Sequence, residues 1–98
     1  MYFSEISTDD VRDWINQAAY NVVNNYDDDA PIWPRVYDEA DSYTCYVKEA
    51  LTICAYYDVF DVVNGCDWED SPRKQFENDI YDAALAIAES ENVKIPEE

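Results

Sequence analysis

Carboxylates are almost the only chemically capable side chains in this sequence: Asp and Glu number 23, against six Lys and Arg and no His. Two carboxylates at a suitable separation can act as acid and base. With so many acids in 98 residues, close pairs arise by chance, and none singles out a reaction. The absence of histidine removes the base that a serine or cysteine nucleophile needs. Gly65 is the only glycine, so no phosphate-cradling loop is present. A helical calcium loop also fails, because centring it on Asn64-Gly65 puts Phe60 and Val62 at ligand positions. The cysteines are Cys45, Cys54 and Cys66, with no Cys-x-x-Cys and no histidine to complete a zinc site. Cys45 and Cys54, read on one helix, would lie roughly 13 Å apart along it. A disulfide spans at most about 7 Å. With no signal peptide apparent, three reduced, buried thiols in the cytoplasm are expected. The sequence thus predicts a non-enzyme without cofactor or metal.

The charge itself is the stronger clue. A formal −17 is well beyond the magnitude of roughly 2–8 that keeps a small domain soluble. Self-repulsion of that size opposes folding. A strongly basic partner would offset it, and basic surfaces in cells are mostly built to hold nucleic acid. Disorder is not expected, because 48% of the chain is hydrophobic and 15% aromatic.

The elements that must position these acids read as helices. Val11, Trp14, Ile15, Ala18 and Val22 recur at helical spacing behind Asp9, Asp10 and Asp13, predicting a helix over 8–24. The Pro31-Ile32-Trp33-Pro34 stretch predicts a short helix over 34–40, with Trp33 as a plug on the core. Asp41 or Ser42 then starts the longest helix, to about Tyr57, with Tyr43, Tyr46, Val47, Ala50, Leu51, Ile53, Cys54 and Tyr57 facing inward. The segment 58–65 reads best as one or two further helical turns stopped by Asn64-Gly65, with a short irregular or β stretch near 58–68 as the alternative, and 66–70 is a loop. Ser71-Pro72 opens a last helix over 72–91, with Phe76, Ile80, Ala83, Ala84 and Ile87 inside. The tail, 93–98, frays apart from Val93 and Ile95. The expectation is one all-α domain over 1–98, a bundle of three to five helices with Trp14 and Ile80 in its core.

Most acids fall at helix ends and connectors, which antiparallel helices bring together. The candidate partner-binding acids are Asp27, Asp28, Asp29, Asp38, Glu39, Asp41, Asp67, Glu69, Asp70, Asp79, Asp82 and Glu89. A chain of this size exposes roughly 5,800 Å². Spread evenly, its net charge is about three times more dilute than that of duplex DNA, so imitation of a phosphate backbone requires clustering. Tyr20, Tyr56 and Leu85, read as outward-facing, form an alternative apolar contact set.

Small size, acidity, reduced cysteines and the lack of catalytic residues resemble phage-encoded inhibitors of host defence, the anti-CRISPR and antirestriction proteins. Glu39-Ala40-Asp41-Ser42-Tyr43 followed by Tyr46 is similar to segments of small phage proteins. The resemblance implies a DNA mimic in the host cytoplasm, occupying the nucleic-acid groove of a CRISPR effector or restriction enzyme. It carries over no individual functional residue. The partners expected are a basic nucleic-acid-binding protein, with no direct nucleic-acid binding and no membrane, and a homodimer is left open. The alternative is a protein–protein interaction module working through its aromatic patch.

Overall fold

The computed structural model describes residues 9–57 and 72–97, and every regular element among them is an α-helix. The entry segment before Asp9, the 58–65 segment, the 66–70 loop, Ser71 and Cys66 lie outside the described residues. The four helices among the described residues are α1 (Asp9–Asn24), α2 (Ile32–Thr44), α3 (Val47–Tyr56) and α4 (Pro72–Glu91).

Helix α1 follows from its pattern. Asp9 and Asp10 sit in the first turn, where the dipole favours negative charge. Val11, Ile15, Ala18, Ala19, Val22 and Val23 form one buried stripe. Helix α4 mirrors it with Phe76, Ile80, Ala84 and Ala88. Alanines in both stripes let the two longest helices approach closely, and α1 packs more extensively on α4 than on any other element. Ile80 is fully buried, as expected.

Aromatic pairs fix the relative directions of the helices. Trp14 of α1 stacks on Tyr43 near the end of α2 at 5.3 Å, and Tyr43 meets Phe76 near the start of α4 edge-on at 5.7 Å. Trp33 at the start of α2 stacks on Tyr81, further along α4, at 4.4 Å and 6°. Helix α2 therefore runs against both α1 and α4. Trp33 is half-buried, packed against the core as the sequence suggested. Trp14 is half-buried too, so it covers the core rather than lying within it.

The division of the middle helices differs from the sequence reading. One helix begins at Ile32 and passes through Asp41 and Ser42 to Thr44, instead of ending at 40 and restarting. Pro31 is the N-cap, and Pro34 lies in the first turn, where a missing N–H removes no intrahelical bond. The chain breaks instead at Cys45 and Tyr46, the latter extended at φ −108° and ψ 135°. Tyr43, Thr44, Cys45, Tyr46 and Val47 are five consecutive residues of low helix propensity, which accounts for the position of the break. The break rotates Tyr46 and Val47 outward, to 62% and 75% exposure, so neither belongs to the inner stripe predicted for them. Cys45 is exposed and only Cys54 of the described pair is buried, against the expectation of buried thiols. Both are free. Burial pushes the Cys54 thiol up from its ordinary value.

Helix α4 ends in a Schellman turn. Asn92 takes φ 57°, the Val93 amide donates to the Ala88 carbonyl at 2.8 Å, and the Asn92 amide to that of Glu89 at 3.3 Å. Beyond it the chain turns back, Ile95 packs on the core, and the Pro96 carbonyl accepts from the Ile32 amide at 2.8 Å. The residues just past α4 are thus tied to the start of α2. Among the described residues no helix is long and apolar enough to cross a membrane.

Candidate acidic interface

The α1–α2 connector and helix α2 carry five of the predicted acids, Asp27, Asp28, Asp29, Asp38 and Glu39. Asp27, Asp28 and Asp29 fill the connector, closed by the Ala30 amide donating to the Asp27 carbonyl at 3.0 Å, and all three are exposed. Two residues missed by the sequence reading hold this region. Arg35 is 3% exposed. Its guanidinium donates to the carbonyls of Val22 at 2.7 Å, Asp27 at 2.6 Å and Ala30 at 2.9 Å. Val22 lies in the last turn of α1, whose carbonyls have no intrahelical donor. Helix α1 has no basic residue in that turn, so the positive charge its C-terminus favours comes from α2.

Tyr26 is the second. Its hydroxyl lies 2.7 Å from an oxygen of Asp38 and 2.7 Å from one of Glu39, one phenolic proton facing two acceptors. The other Glu39 oxygen accepts from the Asn21 amide at 2.9 Å. Two carboxylates are thereby held beside each other, on the hydroxyl of the residue that immediately precedes the Asp27–Asp29 connector. Asp41 lies one turn beyond Asp38 on the same helix. It pairs with Arg73 of α4, which also binds Glu77 at 2.9 Å. Those two carboxylates raise the Arg73 pKa against the opposing effect of burial.

The tyrosines register this field. Burial raises the Tyr26 hydroxyl far above its ordinary value of 10.0, and the bonds to Glu39 and Asp38 add to it. Tyr57 rises likewise through burial and its bond to Asp79. A phenol whose folded pKa exceeds its unfolded one stabilises the fold below the unfolded value, and that contribution is lost as pH rises through and beyond it. Stability should therefore hold up to about pH 10 and fall above it. Tyr43 is raised as well, by burial and the Glu39 charge, so phenolate absorbance should show late-titrating tyrosines, and the double variant Tyr26→Phe with Tyr57→Phe should reduce their number and flatten the alkaline loss. Ordinary titration of every tyrosine in the folded protein would contradict this.

The remaining predicted residues lie elsewhere. Asp79 is half-buried on α4, where it accepts a hydrogen bond from the Tyr57 hydroxyl. Asp82 and Glu89 are exposed. Tyr20 and Leu85 face outward, 50% and 41% exposed. Tyr56 does not, contrary to expectation: its ring is half-buried edge-on to Tyr57 at 4.9 Å. It lines an open groove of about 520 Å³ with Arg12, Ile15, Asn16, Asp79, Asp82 and Ala83. The break before α3 resets that helix's phase, which moves Tyr56 inward. Asp67, Glu69 and Asp70 lie outside the described residues. Among the described residues no three Cys, Asp or Glu side chains converge as metal ligands would.

The sequence did carry a signal for Arg35. It falls on the same helical face as Ile32, Val36 and Ala40, in the middle of an apolar stripe. No protein-family model matches this chain, and no curated protein or solved structure matches it either.

Proposed function

We propose that the protein is an acidic inhibitor that occupies the nucleic-acid groove of a host defence complex, a CRISPR effector or restriction enzyme, as a mimic of DNA. On this reading no residue is catalytic and the protein acts in the host cytoplasm. The observation that carries it is the uncompensated charge at the α1–α2 junction. Asp38 and Glu39 are brought together on the Tyr26 hydroxyl, Asp27, Asp28 and Asp29 follow that tyrosine in the chain, and among the described residues none of the five forms an ion pair. Arg35, whose guanidinium lies 5.7 Å from the Tyr26 ring, is buried and donates to backbone carbonyls instead of the acids. The surface is 6210 Å², so an even coat would give one net charge per about 365 Å², against about one per 100 Å² on a duplex. Clustering of this kind is what mimicry needs.

A second reading, docking through apolar contacts, draws on the exposure of Tyr20, Leu85, Tyr46 and Val47. Salt separates the two. The test is displacement of labelled DNA from purified CRISPR effector complexes and restriction enzymes across a salt series. Mimicry predicts displacement from one of them that weakens steeply with ionic strength, and no gel shift of DNA by the isolated protein. Salt-insensitive displacement would favour the apolar reading, and direct DNA binding would defeat the mimic.

A further inference from the structure

The groove between α1, α3 and α4 is built differently from the acidic junction. Its acids are Asp79 and Asp82, one turn apart on α4, and its floor includes Ile15 and Ala83. Its aromatic wall is set in place. The Tyr57 hydroxyl is anchored on Asp79, and the Tyr56 ring meets the Tyr57 ring at 84°. Asn16 adds an amide on the α1 side. The one cation of the groove, Arg12, is exposed and forms no ion pair among the described residues, although it shares the lining with both carboxylates. An aromatic ring beside two carboxylates, in an open groove also lined by Ile15 and Ala83, complements a flat cation with an apolar stem. Guanidinium fits that description better than ammonium, because it stacks on rings and binds carboxylates through a planar fork.

We propose that this groove receives an arginine side chain of the basic partner, its guanidinium stacked on Tyr56 and paired with Asp79 and Asp82. The owner of that arginine is taken from the function proposed above, and the groove's preference for guanidinium stands apart from it. Arg12 then limits the affinity, because it repels the incoming cation. One unit charge about 6 Å away in water changes binding roughly threefold.

The experiment uses capped arginine amide as probe, titrated into the full chain and followed by amide NMR, with capped lysine amide and sodium chloride at matched ionic strength. The expected result is saturable, millimolar binding that shifts signals at Arg12 to Asn16, Tyr56 and Asp79 to Ala83, with lysine weaker. Asp82→Asn should weaken arginine about threefold and Arg12→Gln should tighten it about threefold. Both residues are exposed, so both variants keep the core intact. Shifts spread equally over Asp27 to Asp29 and Asp38, equal binding of lysine, or unchanged affinity in both variants would overturn the site. Loss of arginine binding with salt-sensitive DNA displacement intact would refute the groove alone. Specific arginine binding without any displacement would refute the mimic alone.

Discussion

Arg35→Met is expected to lower the unfolding free energy by about 2–4 kcal/mol, because it leaves three backbone carbonyls without their donor. The Val22 carbonyl contributes most, since its bond is buried and water cannot replace the guanidinium. The carbonyls of Asp27 and Ala30 are partly buried and recover some solvation. The methionine offsets part of the loss by filling the space and removing a buried charge. Arg35→Lys should recover less than half, because one ammonium cannot reach three carbonyls arranged for a planar fork. Urea unfolding should show a lower midpoint with an unchanged slope. A Met variant as stable as wild type would mean that this cap adds nothing net.

Joint replacement of Asp27, Asp28 and Asp29 by Asn should have the opposite profile. The side chains are exposed and the turn is made by backbone groups, so folding should be unharmed or improved as repulsion falls. Each acid alone is worth only about 0.2–1 kcal/mol in a contact, so Asp28→Asn by itself should barely register. Together the three should weaken displacement of DNA from the target about tenfold or more, chiefly through slower association, and reduce its salt dependence. A triple variant that competes like wild type, with Leu85→Ala or Tyr20→Ala abolishing competition, would transfer the function to the apolar surface.

The parts of this fold legible in the sequence are those where local and tertiary demands agree. Helices α1 and α4 announce themselves through apolar stripes, acidic or proline starts and polar ends. The middle of the chain misled because Asp41-Ser42 has the chemistry of an N-cap while lying on the exposed face of a continuing helix. A run of weak helix formers decided the break, and propensity of that kind is visible only when summed over several residues. The acid clusters were legible as composition. That Tyr26 holds Asp38 beside Glu39 was not, because the two partners lie 12 and 13 positions away and the contact depends on how α2 folds back on α1. Arg35 is not legible by residue type alone, since its burial depends on three backbone carbonyls that α1 and the connector bring to it.

The interruption at Cys45 and Tyr46 also bears on cooperativity. Within the described residues, α3 packs on α1, α2 and α4 less extensively than α1 and α4 pack on each other, and two non-helical residues separate its start from α2. Helix α3 is thus placed to open as a separate unit while the other three stay assembled. The carboxylates around Tyr26 lie entirely on α1, α2 and their connector, so such an opening leaves their arrangement unchanged. The groove carrying Tyr56 loses a wall in the same event. One surface of the molecule is therefore as durable as the whole fold, and the other lasts only as long as its least secure helix stays closed.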